Sequence, residues 1–306
     1  MNLDNDCVRS DVSLPQTVQV TSLLSWRRQQ RMLGGRSVDL DWLLDLGAGL
    51  RWSELQRIQL NPDGVVLLSR SLDELSRLWL LHIEHDEPLQ YLLGLSPWRD
   101  VVLEVSPAAL IPRQETEVLV DLALSQFKTT PPARWADLGT GSGPLAVSLA
   151  RAWPTAPGHG VDLSSDALRL AERNLQCCAP HHNCSLHLGS WWTPLKVWWG
   201  SLDLVVSNPP YIPSSVVDGL EAVVRDHEPH MALRGGEDGL DAIRAVVDGA
   251  STGLSPGGWL LLEHHHDQSI LVIQLMRDAG LVQVSAAADL EGTLRFALAR
   301  KSAATN

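Results

Sequence analysis

The spacing of apolar positions divides the chain into two regions. Beyond residue 130, short and nearly continuous apolar runs predict strands that are buried on both faces of a parallel sheet. Five such runs with helices between them lie near Trp135, Gly160, Leu186, Val205 and Leu261. Two later segments, 281–290 and 293–300, predict an antiparallel hairpin at the sheet edge. We therefore expect an α/β domain with a seven-stranded sheet and helices on both faces.

The first 86 residues show helical spacing instead. We predict helices over 18–33, 39–48, 53–59 and 72–84. Asn61-Pro62-Asp63-Gly64 marks a turn, and Ser71 with Glu74 forms a capping-box pattern at the last helix. The pattern predicts a small N-terminal helical domain over 1–86, frayed before about residue 15. A connecting segment over 87–110 with a β-hairpin around Ser96-Pro97-Trp98 then leads into a domain over 111–306.

A glycine-rich turn follows the first predicted strand of the larger domain. Gly139, Gly141 and Gly143 alternate with Thr140 and Ser142, and a backbone of this kind lets a ligand approach closely. The spacing differs from the dinucleotide fingerprint G-x-G-x-x-G and lacks the Gly-Lys-Ser/Thr of a phosphate loop. The turn therefore predicts a different ligand-binding loop.

An acidic residue ends the next predicted strand. Asp162 lies where it can accept hydrogen bonds from a ribose diol, so it complements the glycine turn as part of a nucleoside site. A similar glycine pattern at 44–49 follows a helical segment and lacks a third glycine. We interpret it as a helix end with Gly47 or Gly49 in the left-handed conformation.

The tetrapeptide Asn208-Pro209-Pro210-Tyr211 closes the apolar run 202–207. Ligands of open α/β sheets bind outside the carboxyl ends of strands, so a substrate would lie here. The Asn208 side-chain oxygen and the Pro209 carbonyl can both accept hydrogen bonds from one planar NH2 group, and Tyr211 offers a flat stacking face. Taken alone, the tetrapeptide is equally compatible with an ordinary Pro-Pro turn.

The motifs in their order resemble those of S-adenosylmethionine-dependent methyltransferases that act on amino groups. More narrowly, they resemble the family that methylates a glutamine of peptide chain release factors. The narrower resemblance depends on flanking segments at 87–94, 110–117, 228–240, 257–264 and 289–292, and it covers roughly residues 87–300.

This resemblance implies a Rossmann-like methyltransferase sheet and transfer of a methyl group to the N5 nitrogen of the glutamine in a Gly-Gly-Gln loop. It implies an N-terminal domain that helps to grip the release factor. The implied S-adenosylmethionine site comprises Gly139, Thr140, Gly141, Ser142, Gly143, Asp162, Trp191 and Asn208. The implied catalytic residues are Asn208, Pro209 and Tyr211, and the implied substrate site comprises Asn208, Pro209, Pro210 and Tyr211.

The chain departs from the family pattern at two positions. Gln114 stands where the family commonly has proline, and Ser190 precedes Trp191 where the family often has an acidic residue. A carboxylate contact to the adenine amino group is therefore not expected here, although Ser190 can accept one hydrogen bond.

Three alternatives stay open beside release-factor methylation. Methylation of a glutamine in a ribosomal protein would use the same chemistry. N6-adenine or N4-cytosine methylation of nucleic acid predicts a basic face and a base-recognition domain, and the formal net charge of −12 disfavours such a partner. A non-catalytic binding module is disfavoured by the intact glycine turn, Asp162 and Asn208.

Two groups of cysteines and histidines could in principle bind a metal, but we interpret both as ordinary parts of the fold. Cys177, Cys178 and Cys184 lie near three histidines but lack paired C-x-x-C spacing, so we expect thiols in a loop and its flanking strand. His264-His265-His266 is expected to form the exit of the fifth strand. Methyl transfer from a sulfonium needs no metal, and none is predicted.

Composition predicts the setting in which the protein works. The chain lacks an apolar stretch of membrane-spanning length, and residues 1–6 lack a signal-peptide pattern. We therefore expect a cytoplasmic protein without a membrane partner, and we separately predict a monomer.

Overall fold

The structure, a computed structural model, describes residues 15–60 and 62–303. It divides into two compact units, one of residues 15–95 and 222–227 and the other of residues 96–221 and 228–303. The predicted frayed start, Cys7 and Asn61 lie outside the described residues.

The N-terminal unit contains the four predicted helices and a small sheet. Its elements are β1 (Gln16–Gln19), α1 (Val20–Leu33), α2 (Ser37–Trp42) followed by a π-helical turn (Leu43–Gly47), α3 (Trp52–Leu60), β2 (Val65–Leu68), α4 (Leu72–His85) and α5 (Leu89–Leu93). The antiparallel pairing of β1 with β2 was not predicted, because β1 continues directly into the helical pattern of α1.

Two local predictions for this unit are confirmed. Ser71 Oγ accepts a 3.1 Å hydrogen bond from the Glu74 backbone N–H and caps α4. Gly49 has φ +71, the left-handed conformation expected after the helical segment.

The connecting segment contains a helix and a hairpin. Leu89 and Leu93 of α5 are buried in the core of the N-terminal unit, so this unit extends to Leu95, while a functional boundary at residue 86 stays a prediction. The predicted hairpin is formed by β3 (Leu95–Trp98) and β4 (Val101–Glu104). Its turn lies at Arg99 and Asp100 and not at Ser96-Pro97-Trp98, which belongs to β3. Proline is tolerated in such an isolated pair of strands, where both strands are edges.

The larger unit has the predicted seven-stranded sheet. Its elements are a 3₁₀ turn (Gln114–Thr116), α6 (Glu117–Gln126), β5 (Trp135–Leu138), α7 (Pro144–Ala152), β6 (Gly158–Asp162), α8 (Ser165–Cys178), β7 (Cys184–Leu188), a 3₁₀ helix (Thr193–Trp198), β8 (Leu202–Ser207), α9 (Ser214–Val217), a 3₁₀ turn (His230–Ala232), α11 (Asp241–Gly253), β9 (Leu254–Glu263), a 3₁₀ turn (His266–Gln268), α12 (Ser269–Asp278), β10 (Val282–Ala288) and β11 (Leu294–Arg300), while the intervening α10 (Ala222–Arg225) belongs to the N-terminal unit.

The strand order is β10-β11-β9-β8-β5-β6-β7. Strands β9, β8, β5, β6 and β7 run parallel, and β11 is antiparallel to both of its neighbours. The connection from β7 to β8 differs from the expected α-helix, since it holds only the 3₁₀ helix that begins at Thr193 and contains Pro194.

Side chains from the central strands point alternately into two cores. Trp135, Leu204 and Leu261 are buried on one face of the sheet, and their neighbours Ala136 and Val205 are buried on the other. Because both faces are covered, the strands are apolar at consecutive positions, which is the pattern that predicted them. The strand ends that meet at the carboxyl edge of the sheet carry the polar residues of the candidate site.

Candidate active site

The turn between β5 and α7 uses three glycines with positive φ. Gly139, Gly141 and Gly143 have φ of +76, +57 and +88, which glycine adopts without a Cβ penalty. A Cβ on Gly139 would lie 3.3 Å from the Trp191 ring, and one on Gly143 would lie 3.1 Å from the Ala171 Cβ of α8. Gly143 therefore serves helix packing, and Gly139 lets Trp191 lie against the turn.

Asp162 at the end of β6 holds this turn in place. Its Oδ2 accepts a 2.8 Å hydrogen bond from the Gly141 N–H, and its Oδ1 accepts one of 2.8 Å from the Ser164 N–H. A carboxylate has about four lone-pair sites, so both oxygens keep capacity for a ligand hydroxyl.

A cavity of about 170 Å³ opens at the carboxyl ends of β5, β6 and β8. This volume far exceeds the roughly 10–15 Å³ that one water needs. The predicted site residues that line it are Gly139, Thr140, Gly141, Ser142, Asp162, Trp191, Asn208 and Pro210. The other three, Gly143, Pro209 and Tyr211, are not among its lining residues, so stacking on Tyr211 stays a prediction.

Hydrogen bonds link Asn208 to groups that sequence reasoning did not select. Asn208 Nδ2 donates to Thr116 Oγ1 at 3.0 Å, and Thr116 Oγ1 donates to Glu263 Oε2 at 2.6 Å. The Tyr211 hydroxyl donates to Glu263 Oε1 at 3.2 Å. Thr116 and Glu263 both lie in segments that carry the family resemblance. The local signal for Glu263 was a carboxylate at the end of an apolar strand.

Burial sets the electrostatics of this network. Burial raises the pKa of Glu263 to about 7, although the hydrogen bonds from Thr116 and Tyr211 favour its charged form. Burial and the nearby Glu263 carboxylate also raise the pKa of the Tyr211 hydroxyl. Tyr211 is thus a neutral hydrogen-bond donor at physiological pH.

A second buried acid lies beneath the glycine turn. Burial, reinforced by the Asp162 charge, raises the pKa of Asp137 to about 7, and Thr140 Oγ1 donates a 2.7 Å hydrogen bond to its Oδ2. Asp137 thereby connects the end of β5 to the turn.

A salt bridge lies beside the cavity. Arg113, which lines the cavity, donates from Nη2 to Glu228 Oε1 at 2.5 Å, and Glu228 Oε2 accepts a 3.3 Å bond from the Ile111 N–H. The Glu228 side chain is buried, and its carboxylate compensates the positive charge of Arg113. The pair fixes the segment that leads into Thr116.

The residues present fit a nucleoside cofactor. Asp162 keeps acceptor capacity, and a Cβ at Gly141 would meet nothing closer than the Ala109 Cβ at 3.9 Å. Ser142 Oγ is buried and has no hydrogen-bond partner within the described part of the chain. The Trp191 ring and Ser190 also line the cavity.

The cysteines and histidines are placed as follows. The predicted loop position of Cys177 and Cys178 is wrong, because α8 continues to Cys178 and both residues belong to the helix. Cys184 begins β7, in the flanking strand as predicted. His264, at the exit of β9, is buried with its Nδ1 2.8 Å from the His265 carbonyl oxygen. Over residues 15–60 and 62–303, no cluster of three or more potential metal ligands occurs.

No helix in the described ranges is both long enough and apolar enough to span a membrane.

Comparison with known proteins settles the family. Residues 114–226 match the methyltransferase small domain family. The release factor glutamine methyltransferase of Prochlorococcus marinus is 52% identical over 94% of this chain and 99% of its own length. The chain belongs to the release factor glutamine methyltransferase family. The relative of the same name from Gloeobacter violaceus is 42% identical over 82% of this chain and 87% of its own length.

The fold is that of S-adenosylmethionine-dependent methyltransferases, as predicted. Among solved structures, the hMettl16 catalytic domain in complex with the MAT2A 3′UTR hairpin 6 matches with a TM-score of 0.52. The match covers 78% of this chain and 84% of that chain at 15% identity, so it concerns the fold alone.

Proposed function

We propose that this protein methylates the side-chain nitrogen of the glutamine in the Gly-Gly-Gln loop of a peptide chain release factor. The observation that carries the proposal is the orientation of Asn208 at the cavity. Its Nδ2 is engaged with Thr116, so its Oδ1 is the amide atom left to accept a hydrogen bond from a substrate NH2 group. The names of the relatives support the choice of substrate.

The cofactor proposed for the cavity is S-adenosylmethionine. When bound, it supplies a sulfonium methyl group, which passes to the amide nitrogen as S-adenosylhomocysteine leaves and the nitrogen then loses one proton. Asp162 would accept hydrogen bonds from the ribose hydroxyls, and Trp191 or Leu163 would lie against the adenine. The backbone of residues 139–142 would contact the cofactor.

Orientation of the substrate amide is the main task of the tetrapeptide. Asn208 Oδ1 and the Pro209 carbonyl accept the two N–H groups, which turns the nitrogen lone pair toward the methyl group and stabilises the positive charge that develops. Well-aligned reactants can gain about 7–11 kcal/mol, so positioning carries much of the rate. None of these residues needs to remove a proton before transfer. The nitrogen carries a positive charge after it is methylated, so its proton is far more acidic than that of the neutral amide and is lost afterwards.

We further propose that the N-terminal unit contributes to release-factor affinity and that the protein acts in the cytoplasm, where release factors work. A monomeric state stays a prediction. The net charge of −12 supports a protein substrate over a long nucleic acid, which needs a cationic surface.

The proposal is tested by comparing candidate substrates in parallel reactions under the same conditions. The protein is incubated with methyl-labelled cofactor and, in parallel, a release factor, a ribosomal protein fraction, duplex DNA and single-stranded DNA. We expect label in the release factor. Preferential labelling of ribosomal protein or nucleic acid would replace the proposed substrate with that one.

A further inference from the structure

The carboxylate of Glu263 lies at the centre of the hydrogen-bond network but does not line the cavity. We propose that Glu263 is a positioning residue that acts through Thr116 to fix which way the Asn208 carboxamide faces. This inference rests on the proposed function, because it assigns the atom that meets the substrate amide.

The direction of each hydrogen bond follows from what the groups can donate. A charged carboxylate only accepts, so while Glu263 is charged the single hydroxyl proton of Thr116 must point to Glu263 Oε2. Thr116 Oγ1 can then offer only a lone pair to Asn208, and only the amide NH2 can satisfy it. The Asn208 oxygen is left to face the cavity.

Burial makes this order costly to break. Thr116 and Glu263 are each 2% exposed, so water cannot readily replace a lost partner. The Tyr211 hydroxyl donates to the second oxygen of Glu263, which gives each carboxylate oxygen one donor. Turning the Asn208 amide over would place its oxygen against a Thr116 oxygen whose proton is already used.

Protonation of Glu263 removes this constraint. A neutral carboxyl can donate to Thr116 Oγ1, whose own proton is then free to turn toward the Asn208 oxygen and favour the reversed amide. The charged groups around Glu263 act in opposite directions, since Glu115 raises its pKa and Arg295 on β11 lowers it. Methylation should therefore decline as the solution becomes acidic enough to protonate Glu263.

The test measures single-turnover methylation of a release factor by the full-length protein with Thr116→Val, Thr116→Ser and Glu263→Gln. Thr116→Val keeps the shape but loses the hydroxyl, and should lower the rate by about ten- to hundredfold, as for a misplaced reacting group. Cofactor affinity and KM for the release factor should stay near the wild-type values. Thr116→Ser should restore most of the rate. Thr252→Val on the exposed face of α11 is the matched control.

The pH profile separates positioning from a purely structural role. Glu263→Gln cannot titrate at this position, so the acidic decline of the wild-type rate should disappear. Asp137 also has a pKa of about 7, but it is present in both proteins and cannot cause a difference between their pH profiles. If Thr116→Val fails to bind cofactor, this comparison of pH profiles decides in its place. A wild-type rate in Thr116→Val, no rescue by serine, or an unchanged acidic decline in Glu263→Gln would each overturn the inference while leaving the proposed function intact. Failure of the wild-type protein to methylate any release factor would instead refute the proposed function, and the inference with it.

Discussion

Thr116 Oγ1 and Glu263 Oε2 lie 2.6 Å apart although 147 residues separate them in the chain. Thr116 ends the 3₁₀ turn before α6, and Glu263 ends β9, so the bond joins two elements that meet under the tetrapeptide. A buried pair of this kind stabilises the site only while both members are present, because an orphaned polar group costs about 1–3 kcal/mol.

Asn208→Ala should lower the methylation rate by about 10²–10³-fold, since one preorganised polar contact to the reacting group is lost. Cofactor affinity should change little, because the glycine turn and Asp162 remain. Single-turnover kinetics and calorimetry measure the two quantities separately. Asn208→Asp is the matched variant: it keeps an acceptor, loses the donor to Thr116 and adds a charge. A near-normal rate in Asn208→Ala would remove this residue from the chemistry.

Asp162→Ala should weaken cofactor binding by about 1–3 kcal/mol, the usual cost of stranding polar partners. The variant removes both the proposed ribose acceptor and the acceptor of the Gly141 N–H. Asp166→Ala, an exposed acid in the first turn of α8, is the control. Equal calorimetric affinities of the two variants would argue against a cofactor role for Asp162.

Asp137 should make stability depend on pH in a direction opposite to most carboxylates. Its pKa is about 7 in the folded protein and near 3.8 when unfolded, so the folded state binds more protons between these values. Its contribution is therefore fully present below about pH 4 and is lost as pH rises toward 7.

Asp137→Asn tests this directly by urea unfolding at several pH values. The stability of the variant relative to wild type should increase from pH 4 to pH 8, by an amount on the order of a few kcal/mol. The substitution of the exposed Asp248 on α11 by asparagine is the matched control. A constant difference across this range would show that Asp137 ionises normally.

Removal of residues 1–95 should leave cofactor binding measurable and reduce methylation of an intact release factor. The N-terminal unit has its own core around Leu23, Leu40 and Trp79, and every cavity-lining residue belongs to the other unit. Methylation of a short Gly-Gly-Gln peptide should be affected less than that of the whole release factor. Full activity of the truncated protein on the intact substrate would contradict a gripping role.

Features with a regular local period could be predicted from the sequence. The strands β5, β6, β8 and β9 were found because both of their faces are largely buried, and the turn at 139–143 because glycine adopts its positive-φ backbone without a Cβ penalty. The pairing of β1 with β2 was missed because a four-residue strand that continues into a helix has no period of its own.

The polar network was out of reach for a different reason. Thr116 and Glu263 had no assigned role because their meaning depends on a contact across 147 residues, and a lone threonine carries no local signal. Arg113 and Glu228 form a similar distant pair, 115 residues apart. Such contacts are set by how α6, β8 and β9 pack, which the spacing of apolar residues does not specify.

The most direct test of the proposed activity is tandem mass spectrometry of a release factor after incubation with this protein and S-adenosylmethionine. The account predicts the added mass of one methyl group on the glutamine of the Gly-Gly-Gln loop, located on its side chain, and none when Asn208→Ala replaces the wild-type protein. A methyl group on any other residue, or an unmodified Gly-Gly-Gln glutamine after incubation with an active, cofactor-binding protein, would contradict it.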